Sequence, residues 1–587
     1  MPGRHRQHRY LPHQCERHGV RPLDERPGLR CRARLETGVV DDRVRHHAVR
    51  RGGGSRARSH ERRWRRRRAS QSRHRRLGPR MVARRHEARV CGRPERVAGD
   101  ERRRHGDYPA HEQCGLCTRL AAMTMRRATT IAVAALLAAC GQPDAVTSST
   151  TPEILGSTVV GNPDNVLAAL VTADVRHGDS VAVRYAPPPR PTLDSVTPAV
   201  TPEGDAVTVP VLGLLPETRY ALVVVAYSGS SVIAGDTLRF VTGALPTDLA
   251  PYVASGSDPS PGYVAFAAGP YGLVIDNTGR VVWYHRFPNG PGLNFQAGPT
   301  GRYFARPTTP DPTDRDPWVE IDPLGNVTRT FGCAGDLEPR FHDLIAEPDG
   351  AYWIMCDEVH TMDLSGMGGV ANAQVMGTVV QHVSATGELL FQWSPFDHFD
   401  ITDLDSTSRV GVNVNWTHGN SLNLDGDGNL VVSFRSLSEI TKIDTKTGAV
   451  LWRMGGLRNQ FLFQDTPSPA FTFQHGVRLT GAGRMVLLDN MGDPAGSWAE
   501  RYVYDETSHT ARMVASYGSA PPVRASLGGS TQDLPGGHTL VSYGPAGRVE
   551  EYDALGRVVW RIDGNPGYVF RAQRIRSLYQ PGVGSPR

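Results

Sequence analysis

Three histidines in this 587-residue chain share an offset from a turn. His342, His418 and His475 each lie eight residues before a glycine (Gly350, Gly426 and Gly483), and an apolar run follows each glycine. Neutral imidazole can act as a nucleophile, as a base near neutral pH, or as a metal ligand. Taken singly, each histidine is expected to serve as a hydrogen-bonding packing residue. Three at matching positions of a repeat point instead to one common axis. Arg435 ends the strand expected to return from the His418 hairpin, and its planar fork of donors suits a tetrahedral oxyanion. Asn420 stands two residues after His418, so on a strand it faces the same side. A metal site on the three histidines stays open at this point, although they come from separate repeats and no His-x-His or His-Glu-x-x-His occurs. The stretch Asp425-Gly-Asp-Gly-Asn429 resembles the start of a calcium loop but lacks the downstream glutamate, and reads as a hairpin turn.

The elements that must position these residues are strands. A pattern of apolar residues, usually Asp, a short turn with Gly, and then often Trp recurs six times beyond residue 262. Its copies are centred on Asp276–Gly279, Asp322–Gly325, Ser384–Gly387, Asp444–Gly448, a degenerate turn after Asp505 through His509, and Asp553–Gly556. Spacings of this kind fit four-stranded blades, with aspartate opening each turn and glycine supplying the left-handed backbone. The tryptophans are expected to pack between blades. The histidine hairpins form a second series between these copies, joined by Ser530–Gly537. The fold expectation is all-β: a six-bladed β-propeller over 262–587, preceded by a linker at 245–261 and a small β-sandwich at 148–244. About seven short strands support the sandwich. Within it, Leu214-Leu215-Pro216-Glu217-Thr218-Arg219-Tyr220 resembles the tyrosine corner of fibronectin type III domains, in which the Tyr hydroxyl ties back to upstream backbone. The Asp-containing loop from Ser394 to Val414 is expected to be a solvated insertion, with a cover over the propeller mouth as the other reading.

The front of the chain differs in kind. The net charge of +7 hides 34 Arg, 13 acidic side chains and no Lys within residues 1–122. Lacking apolar periodicity, this stretch reads as a mistranslated or disordered extension and not as a nucleic-acid arm. Residues 123–139 read as an export signal, with Arg126 and Arg127 ahead of an apolar run too short to span a bilayer. Leu137-Ala138-Ala139-Cys140 resembles a bacterial lipoprotein box, which implies lipidation of Cys140, a tether at 140–147, and an exported protein on the periplasmic face or the cell surface. Membrane attachment is then through the lipid anchor only. Of eight cysteines, only Cys333 and Cys356 lie beyond that point, an isolated pair expected to form a disulfide in an oxidising compartment.

No phosphate-binding P-loop or dinucleotide fingerprint is present, so a nucleotide-bound donor is unsupported. The motifs Phe341-His342-Asp343-Leu344, Thr417-His418-Gly419-Asn420, Phe434-Arg435-Ser436, Thr447-Gly448-Ala449-Val450-Leu451-Trp452-Arg453-Met454-Gly455-Gly456, Phe473-Gln474-His475 and Leu487-Leu488-Asp489-Asn490 together resemble the bacterial arylsulfotransferases. The resemblance runs from about Gly262 to Gly564. It implies transfer of a sulfuryl group from an aryl sulfate to a phenolic acceptor in two steps, with no cofactor. By the same resemblance His475 is the nucleophile that becomes a sulfo-histidine. His342, His418, Asn420 and Arg435 would hold the sulfuryl oxygens and assist proton transfer, and a hydroxyl from a later blade is assigned to Ser530, with Thr531 as its neighbour. The fibronectin-like front and the lipoprotein box depart from the family pattern. Partners are expected to be the small-molecule donor and acceptor, with no nucleic acid, and a homodimer is compatible. Two alternatives stand beside this reading: a non-catalytic anchored propeller that binds protein or glycan, and a quinoprotein or metal-dependent propeller enzyme.

Overall fold

The computed structural model describes residues 151–187, 195–308, 317–465 and 470–584. The expected extension, signal segment, tether and Cys140 lie outside the described residues. Among the described residues the chain forms 34 strands, one α-helical turn (Pro395–His398) and four short 3-10 turns. None of its helices is long and apolar enough to cross a membrane.

Seven strands make the front region. Glu153–Gly161, Ala169–Arg176 and Ala206–Val211 form one antiparallel sheet. Ser195–Val196, Ser180–Ala186, Arg219–Ser228 and Ser231–Val241 form the other. Strict alternation drives the packing: Ala169, Val171, Ala173 and Val175 point inward from one sheet and meet Tyr220, Leu222, Val224 and Ala226 from the other. Tyr220 accepts a hydrogen bond at its hydroxyl from the Leu215 backbone N–H at 2.8 Å, as the corner motif anticipated. The strand Glu153–Gly161 was not anticipated. Most of its residues are exposed or half-buried, so its sequence carries little alternation.

Beyond residue 262 the strands form six consecutive sheets, each built on a four-stranded antiparallel meander; the third and fifth add a parallel edge strand, Asn413–Asn415 and Leu462–Gln464. Their first strands are Ala572–Ile575, Phe295–Ala297, Glu338–Ala346, Gly419–Leu424, His475–Gly481 and Ser530–Asp533. The first sheet takes its leading strand from the end of the chain, where Ala572–Ile575 pairs with Tyr263–Ala268. The sixth sheet gains a fifth strand, Ala254–Gly256, on its outer edge Val558–Ile562. The segment 245–261 therefore does more than connect. Gly256 lies so close to that edge that a Cβ would meet the Val559 carbonyl at 2.3 Å.

Side chains join each leading strand to the next. Asn294 Nδ2 donates to the His342 carbonyl at 2.9 Å, Asp343 accepts from Leu422 N at 3.0 Å, and Asn423 Nδ2 donates to the Val477 carbonyl at 3.1 Å. Thr531 Oγ1 donates to the Gly476 carbonyl at 3.1 Å, Gln532 Nε2 to the Arg574 carbonyl at 3.2 Å, and Ala297 N to Gln573 Oε1 at 2.8 Å. The links thus run through all six sheets and back to the start.

At the opposite edges sit the Asp–Gly turns and the tryptophans. Trp283 Nε1 donates to the Pro323 carbonyl in the next sheet's turn at 2.8 Å, and Trp560 Nε1 does the same to Asn277 at 3.0 Å, so these rings do pack between neighbouring sheets. Gly279, Gly325, Gly387, Gly448 and Gly556 all have positive φ, and in the degenerate fifth copy His509 takes that conformation at φ 49°. Cys333 and Cys356 form the expected disulfide, with Cα atoms 6.2 Å apart, which ties the end of the second sheet to the third.

The loop Ser394–Val414 departs from its expectation of a solvated insertion. Phe399, Ile401 and Leu404 enter the core, and buried Asp403 accepts from Arg453 at 2.8 Å and from Arg458 at 2.5 Å. The insertion ends in a strand, Asn413–Asn415, that pairs in parallel with Gln374–Met376.

Candidate active site

The sheets bring the three histidines together: one ring nitrogen from each of His342, His418 and His475 lies within 4.8 Å of the others. All three leading strands break register there, between Pro339 and Leu344, Gly419 and Ser421, and His475 and Arg478. Such bulges re-aim side chains without ending the sheet. The eight-residue offset holds for His342 and His475, whose glycines have φ of 90° and 63°. In the His418 hairpin the left-handed turn residue is Gly428, not Gly426, so the true offset is ten. The two extra residues are absorbed before the strand. His418 sits just outside it with φ 50°, followed by Gly419, where a Cβ would lie 2.7 Å from Thr378 Cγ2.

His475 is buried and tightly specified. Its Nδ1 lies 2.9 Å from Asn490 Oδ1 and 3.1 Å from the Phe473 carbonyl, both of which can only accept. Asn490 is itself oriented, because its Nδ2 donates to the carbonyls of Ala525 and Gly528 at 2.7 and 2.9 Å. Nδ1 therefore carries the proton and Nε2 the lone pair, which receives the Gly528 backbone N–H at 3.1 Å. Burial lowers the imidazole pKa to about 4; Asn490 opposes the shift and the Arg435 charge adds to it.

The other two histidines face each other, His342 Nε2 to His418 Nε2, at 3.2 Å. Arg340 Nε lies 3.3 Å from His342 Nδ1, and Arg340 is held in turn by Asp357. Asn415 meets His418 Nδ1 through its side-chain amide at 2.6 Å. Both imidazoles are held well below their ordinary pKa, first by burial and then by Arg340 and the neighbouring rings. Phe341 stacks on His342 at 4.1 Å between ring centroids, and Phe570 meets both rings edge-on.

Arg435 lies over the Phe473 ring at 4.6 Å and donates to the Ser526 carbonyl at 3.1 Å, while its Nε is buried with no hydrogen-bond partner among the described residues. Asn420 is fully buried and donates to the Gln474 carbonyl at 2.6 Å, directly before His475; its Oδ1 has no partner among the described residues. Ser530 lies beside Gly476, but its hydroxyl accepts from Ala572 N at 3.2 Å and lines a narrow cavity of about 50 Å³ between the leading strands. The group that reaches His475 Nε2 from that side is the Gly528 N–H. Beneath the histidines, burial pushes the Asp343 carboxyl up, but Arg478 and Arg571 outweigh it and keep it ionised.

The charge around the cluster is positive. Arg340 and Arg435 adjoin the rings, and among the described residues no carboxylate bonds any of the three histidines. Three imidazoles at this spacing could ligate a metal, but each site-facing nitrogen already has a neighbour and the cationic surroundings favour an anion. Sequence reasoning missed Arg340, Asn415 and Gly528 and gave Asn490 no role. Only Asn490 carried a signal, in the Asp-Asn pair that ends the His475 hairpin.

No curated protein matches the chain. A protein of unknown function from Bacteroides caccae is 14% identical over 54% of this chain and 100% of its own, with a TM-score of 0.36. A streptogramin B lyase structure is 12% identical over 53% and 86%, with a TM-score of 0.30. A catalytically inactive virginiamycin B lyase from Staphylococcus aureus is 11% identical over 52% and 87%, also at 0.30. Residues 331–565, which hold all three histidines, match the family model of the arylsulfotransferases (ASST), and this supports that family and, at the general level, a sulfotransferase.

Proposed function

We propose that this protein is a nucleotide-independent sulfotransferase that moves a sulfuryl group from an aryl sulfate to a phenolic acceptor through sulfo-His475. One observation carries the reading most: a buried, neutral His475 has its Nδ1 proton fixed on Asn490, which leaves the lone pair on Nε2, where only the Gly528 N–H holds it. In the first step that lone pair attacks sulfur, the S–N bond forms and the S–O bond to the aryl group breaks. In the second a phenol oxygen attacks the same sulfur, the S–N bond breaks, and a neighbouring base takes the phenol proton. Arg435, and the second N–H of Asn420 Nδ2 beside the one given to the Gln474 carbonyl, would face the equatorial sulfuryl oxygens, where donors placed in advance of reaction contribute most. Gly528 N–H, freed when Nε2 bonds sulfur, is a further donor. The Phe341 and Phe570 rings suit an aryl group.

The six linked sheets support a six-bladed propeller with the site at one mouth, and the two front sheets support a fibronectin type III-like domain. Lipidation at Cys140, export, and domain limits at 148–244 and 262–587 belong to the same proposal. The purified protein is expected to release 4-nitrophenol from 4-nitrophenyl sulfate with matching formation of phenyl sulfate from phenol. His475→Ala should abolish both. Unchanged turnover in His475→Ala would overturn the assignment.

A further inference from the structure

The hydrogen-bond chain through His342 and His418 has a direction, and Arg340 sets it. A guanidinium can only donate, so His342 Nδ1 must present its lone pair to Arg340 Nε. Neutral His342 then carries its proton on Nε2 and donates it to His418 Nε2 across 3.2 Å. His418 Nε2 is therefore an acceptor, and its proton is on Nδ1. The structure places Asn415 Nδ2 2.6 Å from Nδ1; two donors cannot face each other, so the amide must be turned by a half-turn, which brings its oxygen there to accept.

We propose that Asn415 is a positioning residue: by accepting from His418 Nδ1–H it fixes Nε2 as the basic nitrogen on the site side. The insertion Ser394–Val414 and the strand Asn413–Asn415 that closes it exist, on this account, to deliver it. Asp403 pins the insertion to Arg453 and Arg458, the Asn413–Asn415 strand pairs with Gln374–Met376, and Trp416 is buried immediately afterwards. His418 is held from its other side by a reciprocal pair, Thr417 Oγ1 accepting from Thr378 N at 2.8 Å and Thr378 Oγ1 accepting from Gly419 N at 2.9 Å.

The chemical role rests on the sulfotransferase reading. As the phenol oxygen bonds sulfur and the S–N bond breaks, His342 Nε2–H gives up its bond to His418 Nε2, whose freed lone pair takes the phenol proton. The resulting imidazolium strengthens its Nδ1–H bond to the Asn415 oxygen. The groups that face His418 are Arg340 and His342 from the third sheet, Arg435 from the fourth and His475 from the fifth; all are basic, while Asp357 is engaged by Arg340 and Asp343 by Arg478 and Arg571. An amide at position 415 fixes the tautomer without the negative charge that would keep His418 protonated at rest.

Nitrogen-15 NMR of histidine-labelled protein reads the tautomer directly, alongside the pH profile of phenol sulfation. The wild type should show His418 protonated at Nδ1 and bare at Nε2. Asn415 is exposed, so its variants should fold. Asn415→Ala, with only the Arg340–His342 chain left to hold the ring, should show a mixture of the two tautomers and turn over roughly 10-fold more slowly, part of the hundredfold or more that a positioned base supplies. Asn415→Asp should restore the tautomer and move the acid limb of the profile to higher pH. An unchanged His418 tautomer in Asn415→Ala, or a wild-type proton on Nε2, would overturn the proposal. If the tautomer responds as stated but the wild type transfers no sulfuryl group, the assignment of Asn415 stands and the sulfotransferase reading fails.

Discussion

The inner and outer hairpins of the six sheets are built from the same kind of strand and do different work. Outer turns repeat one solution with few departures: aspartate (Ser384 in the third sheet) accepts backbone N–H groups, glycine (His509 in the fifth) takes positive φ, and in four of the six sheets the outer strand carries a tryptophan. Inner hairpins are individual. They bury His342, Asn420, His475, Asp343 and Arg478, break register where the histidines sit, and spend side-chain hydrogen bonds on the neighbouring strand. Buried polar groups of this density are costly unless every one is paired. Among the described residues, Arg435 Nε, Asn420 Oδ1, Gln474 Oε1 and Asn294 Oδ1 are unpaired near the histidines, and Arg435 Nε marks where a ligand's acceptor atom would fit. Repetition marks the outer edge as scaffold, and irregularity marks the inner edge as site.

Substitutions can break this contrast. On the outer edge, Trp560→Ala should cost about 3–5 kcal/mol of stability, as expected for a fully buried aromatic, and leave activity per folded molecule unchanged. Denaturant unfolding with a parallel turnover assay checks both parts. On the inner edge, Arg435→Ala should show the reverse: a loss of about 10²–10³ in kcat, the usual effect of removing one oxyanion donor, with little change in the unfolding midpoint.

A pH experiment sharpens the contrast further. His475 has a folded pKa of about 4 against an ordinary value of 6.5, so between those values the unfolded chain binds a proton that the native protein does not. Stability is therefore lost as pH falls through that window, by about 3 kcal/mol for this residue. Glu500, pushed up to about 8 by burial, works in the opposite sense across part of the range, so the comparison must be differential. His475→Gln should gain on the wild type by that amount between pH 6.5 and pH 4, measured by denaturant unfolding at each pH. Parallel curves would contradict the burial argument.

Much of this was legible in the sequence, for physical reasons. Strand alternation and the Asp–Gly–Trp copies are local, so the sheets and their turns could be read from neighbouring residues. His342, His418 and His475 could be aligned because a repeat maps matching positions to matching places. Gly426 was mistaken for the turn glycine because Asp425-Gly-Asp-Gly offers two, and only the folded hairpin selects Gly428. The insertion was misread because Asp403 looks like a solvent residue until Arg453 and Arg458, fifty residues away, are placed on it. Ser530 was assigned for its hydroxyl, whereas a backbone N–H, Gly528, does the touching, and no side-chain pattern announces a backbone donor. Arg340 and Asn415 act through other side chains, so they leave no motif of their own.

The central claim is that the chemistry passes through one nitrogen of His475. The most direct test is mass spectrometry of the protein after brief exposure to 4-nitrophenyl sulfate without acceptor, followed by digestion under mildly alkaline conditions. One sulfuryl group should appear on the peptide containing His475, and it should disappear when phenol is added. A protein that turns over the sulfate ester with no such adduct, or that carries it on His342 or His418, would contradict the account.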